Sequence, residues 1–173
     1  MRDGMIELGM NVRWNESMLK LLGGPEFLEP SSFPIPRRLA FIAAKGFDEK
    51  EGCVVFKSVG VDQSRLLLDS GDDETGIEAA LSEINIERFL DKPTDPSELS
   101  RLGLNFGFLL GKELKNSGLA GPFRVIVSSH PVDSSLKVGE TCTVRFHRKR
   151  EGQVWLDDHL ESYKTEAVAV LDF

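Results

Sequence analysis

Cysteine, histidine and long apolar runs are all scarce in this chain. Its 173 residues include two cysteines, Cys53 and Cys142, and three histidines. A disulfide framework needs more cysteines in a shorter chain. Both cysteines sit in apolar runs, where small buried residues of strands are found. The histidines, His130, His147 and His159, have no second histidine or cysteine at ligand spacing, so no metal site is expected. The longest apolar stretch, 102–110, is interrupted by Gly103, Asn105 and Gly107 and bounded by Arg101 and Lys112. A membrane span needs about 20 apolar residues, so no membrane association is expected. The opening residues, Met-Arg-Asp-Gly-Met-Ile-Glu, lack the apolar core of a signal peptide, and the expected location is the cytoplasm. No glycine-rich phosphate loop stands at a strand-to-helix turn. Ser128-Ser129-His130 lacks the elbow that exposes a serine nucleophile. No catalytic residue and no cofactor is therefore assigned.

What is present is ordinary globular composition, 40% apolar and 28% charged. The length suits one domain, 1–173, that buries about 70% of its unfolded surface.

Charge is unevenly placed. The chain carries a net −7, and residues 69–98 alone hold ten acids against Arg88 and Lys92. The rest of the chain is almost neutral. A compact anionic surface steers cationic partners and repels nucleic acid, which needs a basic field. The only compact basic run, Arg145 to Arg150, is short and reads as a solvated turn.

Local signals set the element order. Asn15 can cap a short helix that Gly23, Gly24 and Pro25 stop. Residues 23–37 are proline-rich and read as an extended connection. Segments 38–44, 52–59 and 64–68 read as strands joined by polar hairpins. A helix is expected over 73–85, capped by Asp72 or Asp73, with Glu74, Glu78 and Glu83 facing away from the core. Asp95, Pro96 and Glu98 then match a cap, a first-turn proline and the reciprocal acid of a helix over 96–116. Gly103, Gly107 and Gly111 recur every four residues along it, at about 1 kcal/mol each against alanine. Such a stripe implies close approach by a sheet or a neighbouring helix. Strands are expected at 123–128, 141–149 and 166–171, with a further extended piece at 153–156. Cys142, Val144 and Phe146 share one strand face, and Thr143, Arg145 and His147 share the other. Residues 157–163 fit either a loop or one helical turn. Segregated strands and helices predict an α+β domain, mainly an antiparallel sheet with two central helices packed on one face.

Two functions from different classes follow. The first is a non-catalytic protein-binding module, such as an immunity-type inhibitor that neutralises a basic toxin or nuclease. Its partner surface would be Asp69, Asp72, Asp73, Glu74, Glu78, Glu83 and Glu87. The second is a small enzyme or ligand-binding domain with a pocket between helices and sheet, using His130, His147 or His159.

Overall fold

The two ends of the chain build the sheet together. In the computed structural model, which describes residues 4–6, 9–28, 34–57, 73–92, 94–130 and 141–173, β1 (Gly4–Ile6) and β2 (Met10–Trp14) precede α1 (Glu16–Leu22) and α2 (Arg37–Lys45). A hairpin of β3 (Phe47–Lys50) and β4 (Cys53–Phe56) follows, then α3 (Glu74–Leu81), β5 (Ile84–Asn85) and α4 (Pro96–Asn116). The chain closes with β6 (Phe123–His130), β7 (Thr141–Arg148) and β8 (Ala167–Asp172). Six strands form one antiparallel sheet in the order β1-β2-β8-β6-β7-β5. β8 lies between β2 and β6, so the last strand locks the first strands to the rest.

The caps act where the sequence places them. The Asn15 carboxamide oxygen accepts from Met18 N at 2.9 Å and from Val168 N at 3.0 Å. Its amide donates to the Tyr163 and Glu166 carbonyls. One buried asparagine thus starts α1 and ties it to β8 with all its polar capacity used. Asp73 accepts from Gly76 N and Asp95 from Ser97 N, starting α3 and α4.

α4 lies across one face of the sheet, with Leu102, Phe106 and Leu110 in the main core beside Val125, Val127, Val144 and Phe146. Burying each such side chain contributes about 1.5–3 kcal/mol. The glycine stripe is what lets the helix backbone settle on the strands. A Cβ on Gly107 would stand 3.2 Å from a Val127 methyl and 3.4 Å from a Val125 methyl. A Cβ on Gly103 would collide with Cys142 Sγ, and one on Gly111 with the Phe173 ring. α1 and α2 pack beside α4 on the same face, through Met18, Leu22, Leu39 and Ala43. α3 engages the sheet differently, through the outer edge of β7. The opposite face has a smaller apolar cluster, Ile126, Val168 and Val170, covered by Leu156, Leu160 and Tyr163.

Several expectations are corrected. Residues 38–44 are not a strand but most of α2. Leu39, Phe41 and Ala43 alternate in sequence, yet Leu39 and Ala43 are one helical turn apart and both face α4's side of the core. The expected strand at 52–59 is β4, and its partner is the acidic stretch Phe47–Lys50 rather than the residues before it. Glu51 and Gly52, both at positive φ (51° and 82°), make the two-residue turn, which suits the twist of a hairpin. The expected strand at 64–68 lies outside the described residues, as do residues 58 and 59. α3 stops at Leu81, and the chain enters β5 and a 3-10 turn at Ile86–Phe89. Residues 153–156 are irregular, and the ambiguous 157–163 contains a 3-10 turn at Leu160–Ser162. β1 and β2 were not foreseen.

Candidate functional site

Most described acids of the acidic segment are exposed, but Glu78 is buried. Asp69 and Asp72 lie outside the described residues. Asp73 is exposed and spends one oxygen on the α3 cap. Glu74 is exposed and accepts from Gln153 Nε2 at 2.6 Å, a bond that lowers its pKa. Glu78 is the clear correction: it does not face solvent but is 0% exposed. Its carboxylate accepts from Val54 N at 2.7 Å, from Arg148 N at 2.6 Å and from both terminal nitrogens of Arg150 at 2.8 Å. Burial makes such a charge costly unless it is paired and hydrogen-bonded, and here it is both. Glu83 holds Arg145 at 2.6 Å; burial works to raise its pKa, but the guanidinium outweighs that and lowers it. Glu87 accepts from Cys142 N at 3.1 Å.

These contacts share one purpose. The outer edge of β7 is paired by β5 at Val144 and Thr143, and side chains continue the ladder. Glu87 takes Cys142 N, Ser82 Oγ bonds Phe146 N and O at 2.8 Å, and Glu78 takes Arg148 N. An exposed strand edge invites unwanted pairing; here a run of acids and one serine closes it. Structure therefore brings Glu78 and Glu87 together with β7, while Asp73, Glu74 and Glu83 stay at the surface.

A different site lies on the sheet face away from α4. Antiparallel pairing sets Arg124 opposite His147, and Arg13 and Asp172 lie on the same face of β2 and β8. Asp172 takes Arg124 in a two-pronged contact, Nε at 2.7 Å and Nη2 at 3.1 Å, and Arg13 Nη2 at 3.3 Å. Such a fork is the strongest geometry open to the pair. Burial works to raise the Asp172 pKa, but Arg124 more than compensates and lowers it. From the loop after Trp155, Asp158 Oδ1 reaches Arg13 Nη2 at 2.9 Å and Arg124 Nη1 at 3.0 Å. Its pKa is lowered, first by the Arg13 bond.

Beside this network is a cleft of about 190 Å³. Its base is Arg124 and His147, its flanks are Lys149, Arg150 and Asp158, and its rim includes Val154 and Trp155. Both rim residues are exposed large apolar side chains, 74% and 43% accessible. His147 is 3% exposed. Its Nδ1 lies 3.0 Å from the Arg148 carbonyl oxygen, which can only accept. The Nδ1 therefore carries the proton and Nε2 presents a lone pair, and that buried Nε2 has no hydrogen-bond partner. Burial lowers the His147 pKa, and the Arg124 charge adds to this. Near neutral pH the ring is thus an uncharged acceptor. Four cations, Arg13, Arg124, Lys149 and Arg150, meet three carboxylates, Asp158, Asp172 and Glu78, and Glu74 adds a fourth negative charge near Arg150.

The arrangement can hold an anionic group and accept a hydrogen bond beside it. No hydroxyl or thiol side chain is among the residues that line the cleft. The two cysteines are free, buried and elsewhere. Burial raises the pKa of both, that of Cys142 to about 12, so neither thiol is activated. His130 pairs with Glu166 at 3.1 Å, and His159 is exposed on the loop. Neither lines the cleft. Among the described residues, no group of three His, Cys, Asp or Glu is placed to hold a metal ion, and no helix is long and apolar enough to cross a membrane.

Of the cleft residues, the sequence marked His147 as a candidate polar group of a pocket, and Lys149 and Arg150 only as part of a basic run read as a solvated turn. Arg13, Arg124 and Asp172 were missed although a signal existed: each is a charge inside an otherwise apolar strand, two residues from side chains of the same face. Asp158 and Trp155 sit in irregular chain and had no periodic signal at all.

Residues 13–173 match the family described as the Uncharacterized protein PM0498 family. No curated protein and no solved structure matches the chain.

Proposed function

The chain belongs to that family over nearly its whole length, and we propose that it is a ligand-binding domain whose cleft beside β6 and β7 takes a small anion-bearing molecule. One observation carries this reading. His147, 3% exposed, is among the residues that line the cleft, and its Nε2 is buried without a hydrogen-bond partner. Leaving a buried polar atom unpaired costs about 1–3 kcal/mol, a cost that a ligand N–H or O–H donor removes. Arg124 and Lys149 supply charge for an anionic group next to that donor. The cleft is smaller than the usual range of roughly 300–1,000 Å³ for drug-sized ligands, so the occupant is a small metabolite. The matching class is a hydroxy- or amino-substituted carboxylate, or a hydrogen phosphate.

The magnitude is modest. A ligand of roughly ten non-hydrogen atoms at about −0.5 kcal/mol each binds with a Kd of roughly 0.2 mM. Isothermal titration with hydroxycarboxylates and phosphate, against uncharged analogues of the same size, tests it. Binding by the anions and its loss by tenfold or more in Lys149→Glu is expected. Equal heats for charged and uncharged ligands would refute it.

A second reading, an immunity-type protein that binds a basic toxin or nuclease, draws on the exposure of Asp73, Glu74 and Glu83 within the most acidic segment of the chain. It is the weaker of the two, because Glu78 and Glu87 serve the β7 edge instead. Surface plasmon resonance against a candidate basic partner at two salt concentrations tests it. Steering by exposed acids makes association slow as the Debye length falls from about 30 Å at 0.01 M to about 10 Å at 0.1 M. An association rate that ignores salt would remove it.

A further inference from the structure

We propose that Asp158 is a built-in competitor for the ligand of this cleft: its carboxylate holds the position, between the Arg13 and Arg124 guanidinium groups, that the anionic group of the bound molecule takes. This rests on the ligand-binding reading above and adds how that site is gated.

The argument starts from the two arginines. Arg13 and Arg124 are 8% and 7% exposed, and buried cations need paired anions. Asp172 supplies one from the neighbouring strand, itself mostly buried. Two guanidinium groups against one carboxylate still leave a charge in excess. The second anion, Asp158, comes from irregular chain, and its side chain is 70% accessible. Both of its contacts fall on a single oxygen, Oδ1. That is a weak use of two guanidinium forks, each able to take a pair of oxygens. A ligand carboxylate or phosphate presents two or three oxygens to the same donors. Arg124 and His147 are cross-strand partners and both line the cleft, so an anion seated on Arg124 lies beside the His147 ring. Displaced, Asp158 loses little, because it is already largely solvated.

The consequence is counter to the usual effect of deleting an ion-pair partner. Removing the Asp158 charge should strengthen anion binding. Inorganic phosphate is the probe, titrated calorimetrically into the wild-type protein, Asp158→Asn and Asp158→Ala. Asp157→Asn is the control, since it removes the same charge one residue away. We expect phosphate to bind both Asp158 variants about tenfold more tightly than wild type, and Asp157→Asn to stay within about twofold of it. Thermal melting gives an independent readout: 50 mM phosphate should raise the midpoint of Asp158→Asn more than that of wild type. Phosphate that binds all four proteins equally would overturn the competitor role and leave the cleft's binding function standing. Equal tightening by Asp157→Asn and Asp158→Asn would overturn it too, as a general field effect. Phosphate that binds none of them would overturn both readings.

Discussion

Glu78→Gln isolates the charge that holds the acidic segment to the sheet. The substitution keeps the side-chain shape and removes one negative charge from a site with no solvent access. In the native protein two backbone donors and two guanidinium donors converge on the two carboxylate oxygens, all within 2.8 Å. A carboxamide offers one acceptor oxygen and one NH₂. If that oxygen serves Val54 N, the NH₂ faces Arg148 N and Arg150, donor against donor; the other flip fails at Val54. Arg150 then keeps its charge in a half-buried place, where Glu78 had raised its pKa against the opposing effect of burial. Breaking a buried pair by removing one partner costs about 3–5 kcal/mol, and that figure already contains much of the lost backbone bonding. Taking about 4 kcal/mol, and about 2–4 °C per kcal/mol for a domain of this size, the midpoint should fall by roughly 8–16 °C. Glu74→Gln, at an exposed residue whose carboxylate accepts from the Gln153 side chain, should leave the denaturation midpoint close to that of wild type. Thermal melting and urea denaturation, both followed by circular dichroism, measure the two variants. If Glu78→Gln is within about 0.5 kcal/mol of wild type, the four hydrogen bonds do not carry the weight assigned to them and the edge-closing role of this segment is wrong.

Gly107→Leu should lower stability by about 1–3 kcal/mol or more, because valine methyls of β6 occupy the space beyond the glycine and overpacking strains both elements; an unchanged urea midpoint would mean that α4 does not lie on the sheet through this face. Acid should weaken the protein in two windows. The folded His147 has a pKa below its ordinary value of 6.5, so the unfolded chain takes up that proton first and stability falls as pH drops below about 6.5; His147→Gln should flatten this part of the profile. Asp172 has a pKa below 3.8 in the folded protein, so its contribution is complete above that value and is lost as pH falls below it; denaturation midpoints from pH 8 to 2.5 should show the second loss in wild type and not in Asp172→Asn.

The legible parts of the sequence were those governed by local rules. Asn15, Asp73 and Asp95 each sit one residue before a helix and each make a capping bond, a matter of three or four neighbouring residues. The glycine stripe in α4 was legible because an internal glycine is costly and three at one spacing need a common cause. α2 was misread because Leu39, Phe41 and Ala43 alternate with period two, whereas Leu39 and Ala43, one helical turn apart, face the core and Phe41 is exposed. Packing against α4 decided the case, and that contact joins Arg37–Lys45 to Pro96–Asn116, far beyond any local pattern. β2 alternates plainly, with Met10, Val12 and Trp14 against Asn11 and Arg13, and the pattern was overlooked rather than absent. The acidic segment shows the other limit. Glu74, Glu78 and Glu83 look alike in sequence, but β7 and β4 bury the middle one. The cleft and the ion-pair network beside it were least legible, since Arg124, the lining residues between His147 and Asp158, and the network's Arg13 and Asp172 are far apart in sequence and meet only through the order β2-β8-β6-β7.

The most direct test of the ligand-binding cleft is the side-chain nitrogen resonance of His147, followed by proton–nitrogen correlation spectroscopy at pH 7.5. Wild-type protein is titrated with inorganic phosphate, which carries an O–H donor at that pH, and separately with sulfate, which carries none. The free protein should show the tautomer with the proton on Nδ1. Phosphate should shift the Nε2 resonance saturably upfield as the lone pair accepts a hydrogen bond, with a Kd near the millimolar range, and sulfate should move it far less. A His147 Nε2 that is unchanged by phosphate at saturating concentration, or that responds identically to sulfate, would contradict the proposed role of the cleft.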